Sequence, residues 1–258
     1  MERKNIFDWR RLVHLIKNEI VGTYRSLLVS TGAIGGVLMV IYLLQMLAHN
    51  PTAFHEVWYP LVLLIGGFVI SGKIFSVLHD RRQNYIYLTL PASDCEKLIS
   101  KLLLSSVGWV VYSALFYFVF SAVAAIISQI IWGESMSIFN PFQYLYLKSA
   151  AVFLVLQSIF IFGSIYFKKN ALAKTIGSLF LLGFVLALIS GILARIIFAR
   201  YIPWHGHMDI DFEYYFFQTD NIETLALILA KIVKYSFWFL LAPFFWILSY
   251  IRLKEIEV

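Results

Sequence analysis

Charged residues are scarce in this chain: Asp, Glu, Lys and Arg make up only 14% of its 258 residues, where a soluble domain carries about 25%. Hydrophobic residues reach 60%, and the mean hydropathy is +0.78. So little solvated surface describes a polytopic membrane protein. There is one cysteine, Cys95, which excludes an internal disulfide and a multi-cysteine metal site. Cys95 reads as a small helix-start residue rather than a redox centre. No G-x-x-x-x-G-K-[ST] phosphate loop is present, so the chain has no ATP site of that type. It also lacks G-x-S-x-G, H-E-x-x-H and any acidic pair within an apolar segment. That is not the composition of a membrane-embedded enzyme, whose nucleophiles, bases or metal ligands must converge. No basic surface interleaved with aromatics points to nucleic acid.

What the chain has is long apolar runs. A helix rises 1.5 Å per residue, so about 20 apolar residues cross a hydrocarbon core of about 30 Å. Six segments qualify: Leu27–Ala48, Val57–Leu78, Leu98–Trp132, Tyr146–Phe167, Ala171–Ala199 and Leu225–Ile251. The third, fifth and sixth exceed a minimal span, so they must tilt, bend or project into water. Ahead of them, Ile6, Trp9, Leu12, Val13, Ile16 and Ile20 recur at helical spacing, with Arg10, Arg11, His14, Lys17 and Asn18 largely opposite. Residues 1–26 therefore predict an amphipathic helix, resting either on a lipid surface or on the protein's own surface. The expected fold is all-α: this interfacial helix, then a six-helix membrane domain over 27–251, together one transmembrane domain of residues 1–258. Trp58, Tyr59, Trp132, Tyr144, Tyr146, Trp204 and Trp238 fall near predicted interfaces, as an anchoring aromatic belt would.

Positive charge orients the spans. Arg3, Lys4, Arg10, Arg11, Lys17 and Arg25 precede span one, and Lys73, Arg81, Arg82, Lys97 and Lys101 surround the loop after span two. Lys168, Lys169 and Lys174 flank the turn after span four, and Arg252 and Lys254 follow span six. All lie on one side, and only Lys148, Arg195, Arg200, Lys231 and Lys234 fall on the other. The positive-inside rule makes the first side cytosolic, with both termini, in a cell's inner (cytoplasmic) membrane.

The cytosolic loop 78–97 combines dense charge, aromatics and a helix-start signal. Ser93-Asp94-Cys95-Glu96 is an S-x-x-E capping box just after Pro91. The Ser93 hydroxyl can accept from the Glu96 N–H, and the Glu96 carboxylate from the Ser93 N–H. Asp94 adds favourable charge at the positive end of the helix dipole. Residues 81–90 can form a short helix across the membrane surface, with Tyr85, Tyr87 and Leu88 as anchors; the plainer reading is an ordinary capped loop.

The six spans, the amphipathic start and Leu-Pro-Ala-Ser-x-x-Glu-Lys opening span three resemble the permease subunits of type-2 ABC (ATP-binding cassette) exporters. The layout matches along the whole chain, the motif only over residues 78–101. The resemblance implies a pair of permeases, either two copies or a copy and a paralogue, bound to cytosolic ATPase subunits that carry ATP and Mg²⁺. It also implies a coupling helix after span two, carried here onto Asp80–Leu90, with Asp80, Arg81, Arg82, Tyr85, Tyr87 and Leu88 contacting the ATPase. The larger outer domain of some relatives is missing here. The competing readings are a non-transporting scaffold that docks a cytosolic partner through loop 78–97, and a facilitative channel.

The centres of the spans contain no Asp, Glu, Lys, Arg or His, which disfavours a proton-coupled carrier. Gln157 is the clearest polar residue at mid-depth and reads as an interhelical hydrogen-bond partner. His205, His207, Asp209, Asp211 and Glu213 alternate in the longest outer loop; this reads first as a polar loop and second as a metal or substrate contact. His49 and His55 read as interfacial residues. Gly32 and Gly36 in span one, and Gly67 and Ser71 in span two, are small-x-x-x-small pairs. They predict close helix packing, within the subunit first and between copies second.

Overall fold

The computed structural model describes residues 8–47, 54–79, 92–133, 137–197, 228 and 231–257. Among them the chain is helical, without a strand. Seven α-helices are named here: α1 Trp9–Leu47, α2 Phe54–Lys73, α3 Asp94–Leu103, α4 Trp109–Trp132, α5 Tyr144–Tyr166, α6 Ala171–Ile197 and α7 Leu241–Glu257. Two π-helical turns join them into longer rods, Leu104–Gly108 between α3 and α4 and Ser236–Leu240 before α7. Among the described residues six helical stretches are long and apolar enough to cross a membrane, and each overlaps one of the six predicted segments. The chain is a multi-pass membrane protein.

α1 corrects one expectation. It runs unbroken for 39 residues through positions 26 and 27, where a separate interfacial helix was to end. At 1.5 Å per residue that is about 58 Å, nearly twice a hydrocarbon core. Nothing between Arg25 and Leu27 breaks a helix: the charge stops there, and the hydrogen-bond ladder does not. α3 matches the first half of α1 as a second amphipathic stretch, burying Glu96, Lys97, Leu98, Ser100 and Lys101. Where it gives way to the apolar α4, the hydrogen-bond register widens through Leu104–Gly108. Such π-turns mark places where a long helix changes direction or packing.

α5 is the central element, packed against α2, α6 and α7. Small residues permit these approaches. A Cβ on Gly67 would collide with the rings of Phe153 and Trp109, and one on Gly163 with Thr175. α4 ends at Gly133, whose φ of 73° closes the helix with its N–H on the Gln129 carbonyl at 3.1 Å. From Phe180 to Leu193, α6 exposes every residue, as a helix bathed in lipid does. The last span buries Ala242, Ser249 and Leu253 and half-buries Phe245, Trp246 and Leu248 on the side that faces α5.

The buried residues divide into two groups. One end gathers Phe75, Leu78, Leu98, Ile161, Ile165 and Leu253. The other extends from mid-bundle to the far end and is dominated by rings, among them Tyr42, Phe54, Tyr59, Tyr117, Phe139 and Tyr146. Tyr59 and Tyr146 were expected as membrane-surface anchors, but they are 2% and 3% exposed. His55, expected at an interface, is also buried, between the Tyr117 hydroxyl and the Ser137 carbonyl.

Candidate functional site

The site of interest is the base from which residues 80–91 depart. The residues assigned to the loop itself, Asp80, Arg81, Arg82, Tyr85, Tyr87 and Leu88, lie outside the described residues, but both of its roots lie within them. On the incoming side α2 runs into a short 3₁₀ turn, Ser76–His79. Phe75 and Leu78 in this stretch are 1% and 4% exposed and pack on Leu98, Ile161, Ile165 and Leu253. The incoming root is thus wedged among α3, α5 and α7.

On the outgoing side Ala92 is buried and Ser93 caps α3. The capping box forms as its residue types require: the Glu96 N–H donates to Ser93 Oγ at 3.3 Å, and the Ser93 N–H donates to Glu96 Oε2 at 2.9 Å. The structure adds a second use for the same carboxylate. Glu96 Oε1 accepts the Asp8 N–H at 2.6 Å and the Arg11 guanidinium at 3.2 Å. Asp8 in turn accepts the Arg10 N–H at 2.9 Å, which makes it the cap of α1. One fully buried carboxylate therefore sits at the N-termini of two helices, where both dipoles and a guanidinium favour its charge. Five residues further along α3, Lys101 Nζ meets Glu19 Oε1 at 2.5 Å. Because Arg11 pairs with Glu96 and Glu19 with Lys101, α1 and α3 run parallel, clamped at two levels.

Sequence reasoning found Ser93 and Glu96 but not Asp8, Arg11, Glu19 or Lys101. A signal exists in retrospect. Arg11 and Glu19 are two helical turns apart with opposite signs, and Glu96 and Lys101 offer the complementary order five residues apart.

The other singled-out residues fall as follows. Gly67 and Ser71 pack inside the subunit, and Ser71 Oγ donates to Gln157 Oε1 at 3.4 Å in a fully buried setting. At Gly32 and Gly36 a Cβ meets nothing within 4 Å among the described residues. Cys95 is free and exposed. His49, His205, His207, Asp209, Asp211 and Glu213 lie outside the described residues. Among those described, no group of three His, Cys, Asp or Glu side chains is placed to hold a metal. The arrangement at the loop base fixes both ends of the loop to packed helices. Comparison with protein-family models, with curated proteins and with solved structures finds no match to this chain.

Proposed function

We propose that the chain is the membrane-spanning permease subunit of an ABC exporter, driven by a separate ATPase that docks on residues 80–91. The observation that carries this reading is the rooting of that loop. A loop that only decorates a surface needs no buried roots. This one leaves the bundle from buried Phe75 and Leu78 and returns through buried Ala92 and Glu96. A load applied to it reaches α2 through the 3₁₀ turn, α3 through the capping box, and α1 through Arg11 and Asp8.

In this reading the basic end faces the cytosol of an inner-membrane protein whose termini are both cytosolic. The permease works as a pair, and ATP and Mg²⁺ belong to the partner ATPases. Closure of the ATPases displaces the loop. The clamped α1–α3 pair moves as one lever, and the π-turn at Leu104–Gly108 is the place where that lever bends against α4. Export then follows from the two packings of the bundle differing in stability as the ATPases open and close.

The test is affinity purification from native membranes in mild detergent, followed by mass spectrometry, for the natural chain and for a Tyr85→Ala/Tyr87→Ala variant. A P-loop ATPase that accompanies the first and is lost from the second is the expected result. Absence of any ATPase from both would replace this reading with a docking scaffold.

A further inference from the structure

Among the described residues between α4 and α5, Phe139 is the one that enters the bundle. Phe139 is 2% exposed, whereas Ile138 and Phe142 beside it are 57% and 79% exposed. Its ring lies in a box of four others: Tyr59 at 4.6 Å, Tyr146 at 4.7 Å, Tyr117 at 4.9 Å and His55 at 6.1 Å between centroids. Tyr117 and His55 present T-shaped contacts, and Tyr59 and Tyr146 tilted ones. These are geometries that select an aromatic ring over an aliphatic group of equal size.

Three features distinguish this box from an ordinary core. Its walls come from three spans, His55 and Tyr59 from α2, Tyr117 from α4 and Tyr146 from α5, so its shape depends on how those spans are arranged. The walls carry three phenols and an imidazole, more polar equipment than a phenylalanine uses. And two side-chain hydrogen bonds pin the segment: the Phe139 N–H donates to Ser121 Oγ at 3.2 Å, and His55 Nε2 meets the Ser137 carbonyl at 2.8 Å. With Nε2 donating there, Nδ1 is left to accept from the Tyr117 hydroxyl at 3.3 Å. The latch and the wall are thus the same imidazole.

We propose that this box is a binding site for a single aromatic ring, held in this state by Phe139 as a built-in plug. An incoming aromatic group would exchange with Phe139, take the same four ring contacts, and find His55 and Tyr117 within reach of a polar substituent. The site goes beyond the exporter reading and needs no ATPase, so its test uses the isolated full-length chain in lipid nanodiscs.

Ser121 is 1% exposed beneath the segment. In a Cys95→Ser/Ser121→Cys chain the new thiol keeps a weak acceptor for the Phe139 N–H. Its reaction with a sulfonated maleimide then reports displacement of the plug. N-acetylphenylalaninamide should raise the labelling rate about tenfold and saturably, the factor that 1.4 kcal/mol of exchange supplies. The cyclohexylalanine analogue, equal in size and without a π-face, should not. Adding His55→Ala removes the latch and should raise the rate roughly fivefold without any probe. Phe139→Ala leaves the box open, so the phenylalanine amide should raise its melting temperature and the cyclohexyl amide should not. If Phe139→Ala does not fold, the labelling arms alone decide. A rate indifferent to the phenylalanine amide, or equally sensitive to both amides, overturns the proposal and makes Phe139 a plain anchor of its loop.

Discussion

At the basic end, α1 and α3 meet through Glu96, Arg11, Lys101 and Glu19, with ion-pair distances of 3.2 Å and 2.5 Å. At the far end, α2, α4 and α5 meet through rings whose centroids lie 4.6 to 6.1 Å apart among His55, Tyr59, Tyr117, Phe139 and Tyr146. Charge-assisted hydrogen bonds are short and directional, so a displacement of an ångström forfeits most of them. Ring contacts are spread over many atom pairs and change gradually as rings slide. The contrast teaches how each end is held: the basic end by directional bonds that keep two helices in register, the aromatic end by contacts that change gradually among three. The exporter proposed above, pushed at one end and opening at the other, would use that division.

The largest effect should follow from an isosteric change at the rigid end. Glu96→Gln preserves volume but removes the charge that Arg11 meets, and it turns one oxygen into a donor facing N–H groups. Hydrogen bonds to a charged, buried group are the costly ones to lose, so about 3 kcal/mol of stability should disappear. Thermal unfolding in detergent checks this. A melting temperature equal to that of the natural chain would show that shape alone holds α1 to α3, and the comparison would collapse.

Next comes the packing that joins the two regions. Gly67 faces Phe153 and Trp109 with no room for a methyl group, and the Trp109 Nε1–H donates to the Leu63 carbonyl at 2.9 Å one turn away. Gly67→Ala must push both rings aside and should cost about 2 kcal/mol, within the range for overpacked sites. Tryptophan fluorescence would register the displaced indole alongside the loss of stability.

How far this was legible in the sequence depends on the range of each interaction. The six apolar stretches were plain because spanning is decided by length and composition within each segment. The capping box was plain because Ser93 and Glu96 are three residues apart. The Arg11–Glu96 contact joins residues 85 apart, and no local pattern states that these two helices are neighbours. A helix boundary was expected at residue 26 because the charge stops there, but the end of a charged stretch is not where a helix's hydrogen bonds stop. Phe139 was hidden for a different reason: Ile138 and Phe142 are as apolar, and only the shape of the box selects among them.

A milder change belongs to the tolerant end. Phe139→Leu keeps an apolar side chain, smaller by about a methylene, loses the aromatic contacts, and should cost about 1 kcal/mol. The same unfolding measurement reads it against Glu96→Gln. A loss as large as the glutamine's would mean that the aromatic end is held as specifically as the basic one.

The smallest effect should come from Gly36, and its sign carries the information. Gly32 and Gly36 have the same spacing as Gly67 and Ser71, yet a Cβ at either of the first two meets nothing within 4 Å. In an isolated chain, Gly36→Ala adds a methyl group to open space and removes backbone freedom from the middle of α1. Alanine is favoured over glycine in a helix interior by about 0.8–1 kcal/mol, so the variant should be neutral or slightly more stable. The measurement is made twice, in dilute detergent and in lipid at high protein density. A variant that is neutral in the first and loses about 1 kcal/mol or more in the second would place a second helix against that face, with the methyl group acting as the overpacked atom that Gly67→Ala supplies within the subunit. Neutrality in both would leave the face to lipid, and would show that a small-x-x-x-small pair acquires meaning only from what lies opposite it.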